Sequence, residues 1–332
     1  MNLIIPMAGK GKRLRPHTLT VPKPLIPIAG KPIVQRLVED IAKVSTEEIK
    51  KIGFVIQDFE KGILIQLKKI AGSVGAEAKF YTQETAEGTA HAIACAGEIL
   101  ENKVTIAFSD TLFRVDFKLN LQDNAIIWTK EVEDPSAFGV VKTNEQGVVT
   151  DFIEKPKEFV SDQAIIGIYY FKKGEDLRDE LNHLIENNIR SGGEFQLTTA
   201  LENLKNKETK FTIKTVKEWL DCGNANITVA SNSRYLGFLN GQDLKDSSAQ
   251  IENSAIIEPV FIGANTIIKR SRIGPNVSIG EACEILNSTI SDSLIQNNTT
   301  LNNIDLSNSM IGNYVKLKGQ PKSVSLGDYC EW

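Results

Sequence analysis

The residues most able to do chemistry stand near the start of the chain. Residues 4 to 25 read IIPMAGKGKRLRPHTLTVPKPL, with Gly9 and Gly11 followed by Arg13, four basic residues within six positions, and Lys23 between Pro22 and Pro24. Glycines after a buried strand let backbone N–H groups turn toward an anion. Arg13 can fork two phosphate oxygens. Lys23 sits on a backbone stiffened by the prolines on either side. That combination suits a triphosphate. A dinucleotide fingerprint would need a third glycine where Leu14 stands and an acid where Gln57 ends the second apolar run, and the P-loop pattern G-x-x-x-x-G-K-[ST] is missing. Taken alone, the segment also reads as a solvated basic turn, because G-x-G-x-R arises by chance in roughly one chain in several.

No Ser-His-Asp or Cys-His arrangement calls for a covalent intermediate. The four cysteines (Cys95, Cys222, Cys283, Cys330) lie far apart without metal spacing and read as reduced intracellular thiols. A net charge of −4 gives no bulk attraction to nucleic acid or an acidic membrane, so an anion must be held by a local basic site. No apolar run approaches the ~20 residues of a membrane span. The opening MNLIIPMAG lacks the basic start and longer apolar region of a signal peptide and reads as a first strand. The expected location is the cytoplasm.

The elements that would position these residues follow from periodicity. Strand-like runs at 2–7, 52–57, 78–83 and 103–110 alternate with helical stretches at 32–44, 59–72 and 88–100. This order predicts an α/β fold, with a Rossmann-like, mainly parallel sheet and helices on both faces. Ligands bind such sheets beyond the carboxyl ends of the strands, where Gly9, Gln83 and Asp110 stand. After residue 245 apolar residues recur every five or six positions (Ile251, Ile257, Ile262, Ile268, Ile273, Ile279, Ile285, Ile290, Ile295) among Gly, Asn, Ser and Thr. That is a hexapeptide repeat and predicts a parallel β-helix of about four coils of roughly 18 residues. The 332 residues therefore divide into a domain over 1–235, a linker over 236–245 and a β-helix over 246–332.

Eight segments in order turn this pattern into a resemblance. AGKGKRLRPHTLTVPKPL, QETAEGTAHAI, FSDTLF, AFGVV, FIEKP, IIGIYYF, GGEFQLT and WLDCGN resemble the motifs of the sugar nucleotidyltransferases (nucleotide-sugar pyrophosphorylases) over residues 1 to about 235. The repeat likewise resembles the left-handed β-helix that many members carry. The resemblance implies Mg²⁺-dependent transfer of a nucleotidyl group from a nucleoside triphosphate to a sugar 1-phosphate, releasing pyrophosphate. It implies nucleotide contacts from Ala8, Gly9, Gly11, Lys12, Arg13, Gln83, Gly88 and Thr89, with Arg13, Lys23 and Lys155 as the working charges. Gly139, Glu154, Lys155, Gly167 and Glu194 would hold the sugar phosphate. Asp110 and Asp221 would hold Mg²⁺, a hard cation that takes one or two carboxylates with substrate oxygens and water.

The family pattern is not followed everywhere. The first loop is one residue shorter than in members with a Gly-Gly pair, Lys12 stands where a hydroxyl residue is usual, and Ser109 stands where Gly is common. The short loop and DCG at 221–223 lean toward the glucose 1-phosphate uridylyltransferase branch, and the favoured pair is UTP or dTTP with glucose 1-phosphate. A mannose-1-phosphate guanylyltransferase and a non-catalytic homologue that binds nucleotide sugar are the alternatives. All three histidines (His17, His91, His183) precede the repeat, which argues against a second, acyl-transferring site there. A β-helix ending at Trp332 without a polar cap predicts a homo-oligomer.

Overall fold

The computed structural model describes residues 1–319 and 323–331. The chain packs as two compact units: Met1–Gly9 with Leu37–Trp219, and Lys10–Arg36 with Leu220–Trp332. The basic loop thus belongs by packing to the unit that contains the β-helix, a grouping that crosses the linear divisions at 235 and 245. The segment expected as a linker also begins inside a helix, Ala225–Phe238.

The first unit is built on a nine-stranded sheet. Strands Val104–Ala107, Asn2–Pro6, Lys51–Ile56 and Glu77–Thr82 lie side by side and parallel. Leu3, Ile4 and Ile5 are all fully buried, so both faces of the first strand are covered and its run is apolar without alternation. Burying each such side chain stabilises by roughly 1.5–3 kcal/mol. The helices of this unit are α1 (Ile33–Val44, from Leu37 onward), α2 (Lys61–Ser73), α3 (Thr89–Ala94), α4 (Gly174–Glu186) and α5 (Leu197–Asn206). Ala90 and Ile93 of α3, Leu177 and Leu181 of α4 and Leu201 of α5 share one core with Ile4, Val104 and Ile106 of the sheet.

One sequence expectation changes here. The helix expected over 88–100 is only α3 followed by a 3₁₀ turn at Gly97–Ile99. Within the expected, mainly parallel sheet, strand Gln163–Phe171 runs antiparallel to Val104–Ala107, Ala125–Glu131 and Gly139–Thr143. Strands Gly139–Thr143 and Val149–Glu154 form a hairpin whose turn includes Gly147 at φ 74°. Such a hairpin needs only a short turn, whereas a parallel crossover needs a dozen or more residues.

The second unit carries the left-handed parallel β-helix. On one side Gln250 pairs with Ile267, Ile267 with Glu284, Glu284 with Thr300 and Thr300 with Lys316, so successive coils take 17, 17, 16 and 16 residues rather than 18. Inside, Ile268, Ile285 and Leu301 stack, as do Ile273, Ile290 and Leu306. The residue opposite Ile273 is Ile256, not Ile257 as the spacing suggested. The coil corners use left-handed backbone, at Asn253, Arg270, Asn287 and Asn303 along one edge and Asn276, Asp292 and Asn308 along another. Asn and Asp tolerate that region better than other non-glycine residues, which is why the repeat is rich in Asn. Buried hydroxyls hold the corners together. The Ser271 amide donates to Ser254 Oγ, the Ser288 amide to Ser271 Oγ and the Ile304 amide to Ser288 Oγ, each at 3.0–3.2 Å. The β-helix end at Trp332 lies outside the described residues.

Candidate functional site

In the first unit the base-facing and sugar-facing candidates are fastened to each other. Gln83 follows strand Glu77–Thr82 and is buried, and its Nε2 lies 3.1 Å from His91 Nδ1 and donates to the Gly88 carbonyl at 3.3 Å. Gly88 has φ 117°, and a Cβ there would meet the Phe195 carbonyl oxygen at 2.4 Å and Glu194 Cβ at 3.0 Å. The chain around Glu194 is therefore laid directly against Gly88, a closeness only glycine permits. Backbone bonds seal the contact: the Phe195 amide donates to Glu87 O at 2.8 Å and the Ala90 amide to Phe195 O at 2.9 Å. Thr89 Oγ1 accepts from the Leu197 amide at 3.0 Å, which makes it a brace between the two segments.

Sequence reasoning missed the charges that clamp this junction. Arg190 Nη2 donates to Glu87 Oε1 at 2.8 Å, and the guanidinium lies 4.0 Å from the centre of the Phe195 ring. The Arg190 hydrogen bond holds the Glu87 carboxyl below the usual carboxylate range. His91 Nε2 stands 3.7 Å from Glu87 Oε2, so His91 bridges Gln83 and Glu87. Glu87 and Arg190 are 103 residues apart, and no local spacing signals their pairing.

A second group adjoins the first. Gly139 and Glu154 are directly paired across their hairpin, and a Cβ at Gly139 would stand 3.1 Å from Glu154 Oε2 and 3.9 Å from Thr198 Cγ2. Lys155 has left-handed backbone, is exposed, and holds its ammonium 3.8 Å from Glu154 Oε1. Glu194 is exposed and accepts from Gln196 Nε2 at 3.2 Å. Asp110 follows strand Val104–Ala107. Gly167, at φ 82°, interrupts the register of strand Gln163–Phe171 and accepts from the Phe108 amide at 3.0 Å. Its place is thus beneath the chain leading to Asp110. Ala8 is buried and Gly9 exposed beyond the end of the first strand.

In the second unit the basic loop is tight. Gly11 is left-handed at φ 56°, and Thr18 Oγ1 donates to its carbonyl at 2.8 Å. A Cβ on Gly11 would come within 3.0 Å of Thr18 Cγ2 and 3.2 Å of Lys23 Cβ. Lys12 to Leu14 form a 3₁₀ turn that buries Leu14 while Lys12 and Arg13 stay exposed. Lys23 is buried on a second 3₁₀ turn with Pro24. Asp221 lies in the same unit. Its carbonyl accepts from Ser231 Oγ at 2.6 Å, and its carboxylate oxygens lie 2.9 and 3.1 Å from where a Gly223 Cβ would be. Asn224 then caps α6 (Ala225–Phe238), accepting from the Ile227 amide at 3.0 Å.

The model of the family described as nucleotidyl transferase matches residues 3–236, which span both the clamped segments and the basic loop. The chain belongs to the nucleotidyl transferase family. Among the relatives of this nucleotidyltransferase is the bifunctional protein GlmU of Methanocaldococcus jannaschii, 31% identical over 78% of this chain. The chain spans only 59% of that relative's length. A glucose-1-phosphate thymidylyltransferase of Streptomyces antibioticus is 27% identical and matches 96% of this chain and 93% of its own length. A crystal structure described as a glucose-1-phosphate thymidylyltransferase of Bacillus anthracis, in complex with sucrose, shares the fold. Its TM-score is 0.59 at 22% identity, with 70% of this chain and 94% of that one covered. The membership supports nucleotidyl transfer as the reaction class of this protein.

Proposed function

We propose that the protein joins the nucleotidyl group of UTP or dTTP to glucose 1-phosphate, giving a nucleotide sugar and pyrophosphate. The observation that carries this reading is the junction of Gln83 and Gly88 with Glu194, beside the Gly139–Glu154 pair. An amide stands there next to carboxylates, and in this reading the amide takes the base edge and the carboxylates take sugar hydroxyls. In this reading Gln83 donates and accepts at the base edge while His91 fixes its orientation, and Gly88 lets the ring approach the backbone. Gly139 lies against the sugar, Glu154 and Glu194 accept from its hydroxyls, and Lys155 meets the sugar phosphate. Gly9, Gly11, Lys12 and Arg13 hold the triphosphate, with Arg13 on the departing pyrophosphate. Lys23 offsets charge that grows at the α-phosphate in the transition state.

The sugar phosphate oxygen attacks the α-phosphorus and pyrophosphate leaves with the electrons of the broken bond. The protein supplies positioning and charge rather than a nucleophile. In this reading Asp110 and Asp221 would hold a divalent cation. As hard oxygen donors they would share the ion with substrate oxygens and water, as carboxylates do for Mg²⁺. When bound, Mg²⁺ neutralises phosphate charge. A homo-oligomer in the cytoplasm completes the reading. Its test is a pyrophosphate-release screen of five nucleoside triphosphates against glucose, mannose and N-acetylglucosamine 1-phosphates. Release confined to UTP or dTTP with glucose 1-phosphate supports the pair; release from GTP with mannose 1-phosphate replaces it; tight nucleotide-sugar binding without turnover points to the non-catalytic alternative.

A further inference from the structure

The loop from Lys10 to Arg36 is tied to the β-helix at both of its ends. Near its start, His17 Nε2 lies 2.9 Å from Ser325 Oγ, and the Thr20 hydroxyl donates to the Asp328 carboxylate. Pro16 packs on Gly327 so closely that a Cβ there would fall 2.8 Å from Pro16 Cβ. Ser325 to Asp328 belong to the last described coil, whose Ser325 and Leu326 pair with Met310 and Ile311. Near the loop's end the Ala29 amide donates to Asn232 Oδ1 at 2.9 Å, and Ser278 Oγ of the β-helix donates to the same oxygen at 2.8 Å. Gly30 lies under Phe261, whose ring would be 2.2 Å from a Cβ at that glycine.

The contacts at the last coil matter because of what they hold. The turn that carries His17 and Thr20 also carries Thr18, whose hydroxyl closes on the Gly11 carbonyl and whose methyl packs where a Gly11 side chain would go. The turn between Ser325 and Gly11 is therefore one continuous set of contacts within a single packing unit. His17 is fully buried, and burial pushes its imidazole down to about 4 against the opposing pull of Asp328, so it docks as a neutral ring at physiological pH.

We propose that the last coil of the β-helix sets the geometry of the triphosphate loop, with His17, Thr20, Ser325 and Asp328 as positioning residues. This rests on the reading of Gly11 and Arg13 as triphosphate contacts. The β-helix then serves the reaction itself, beyond any part in oligomerisation. A loop that spends less time in its binding arrangement binds with an apparent affinity lowered by the same fraction.

The test uses the full chain with Ser325→Ala, Asp328→Ala, the conservative Asp328→Asn, and Lys316→Ala as a control. Lys316, on the preceding coil, pairs with Glu331 of the last described coil at 2.8 Å, and no contact of His17 or Thr20 named above involves it. The Leu14, His17 and Leu19 amides donate within the loop, so their hydrogen exchange reports its order without reference to activity. Asp328→Ala should speed their exchange and raise the KM for the triphosphate, each by roughly tenfold, with the KM for the sugar phosphate within about twofold. Asp328 Oδ1 also accepts from the Asn313 amide at 2.7 Å while Thr20 donates to Oδ2, so Asp328→Asn, with one acceptor oxygen, should restore both only in part. Unchanged loop exchange in Asp328→Ala and Ser325→Ala overturns the proposal. So does a rise of both KM values together, or an equal effect of Lys316→Ala. If the unaltered protein turns over no substrate pair, the functional reading fails on its own, and loop exchange with direct UTP titration decides the docking.

Discussion

At the scale of single residues, the structure explains why particular types recur in the motifs. Gly88 has a positive φ and a carbonyl oxygen where a methyl would go. Gly88→Ala should cost about 2–4 kcal/mol, from overpacking and backbone strain together, measured by chemical denaturation; a loss under about 1 kcal/mol would mean the junction is loose. Asp110→Asn should cut pyrophosphate release at least a hundredfold while leaving the melting temperature in place, and undiminished release would remove Asp110 from the metal site. His17 has a folded value of about 4 against 6.5 for the free ring. Between those values the unfolded chain takes up a proton that the folded one refuses, so this contribution is complete above pH 6.5 and is lost as pH falls toward 4. It amounts to roughly 3 kcal/mol at most. The stability of His17→Gln should therefore fall less than that of the unaltered protein between pH 7 and 5, and parallel curves would contradict the burial argument. Gly9, Gly11, Arg13 and Asp110 could be proposed from the sequence because their motifs are contiguous. Arg190, Glu87 and the Asp328 contact were not, because each partner is a hundred or more residues away and no local periodicity carries it.

At the scale of elements, legibility followed the strength of the pattern. The buried strand at Asn2–Pro6 and helix α1 were read within a residue or two, since each has a long, one-sided apolar signal. The Ala-rich stretch after Gly88 was read too long. Its 3₁₀ turn at Gly97–Ile99 has the same composition as a helix and differs only in hydrogen bonding. In the β-helix the alternation of five and six residues was plain, but coil length was not, because whether a corner takes one more residue is set by stacking against the next coil. Ile257 shows the ambiguity: two isoleucines stand together, and pairing with Ile273 selects Ile256. The stacked interior makes a direct prediction. Ile285 is fully buried between Ile268 and Leu301, so Ile285→Ala should cost about 2–5 kcal/mol by denaturation. A cost near zero would mean the coil interior is not closely packed.

At the scale of the whole molecule, linear order and packing give different partitions. A sequence reader divides the chain where the repeat begins; the contacts group residues 10–36 with the β-helix. Nothing in residues 10–36 announces this, because the last coil that receives them lies some three hundred residues downstream. With a net charge of −4, phosphate binding rests in the proposed reading on the local charges of Arg13, Lys23 and Lys155, so salt should weaken substrate binding without abolishing it. A homo-oligomer is expected, and a strictly monomeric mass by light scattering would refute it. The central claim is nucleotidyl transfer of UTP or dTTP to glucose 1-phosphate, and its most direct measurement is pyrophosphate release by the full chain with Mg²⁺. The account predicts release with UTP or dTTP plus glucose 1-phosphate, at least tenfold faster than with any other pair of the panel. Faster release with GTP and mannose 1-phosphate, or none with any pair, would contradict it.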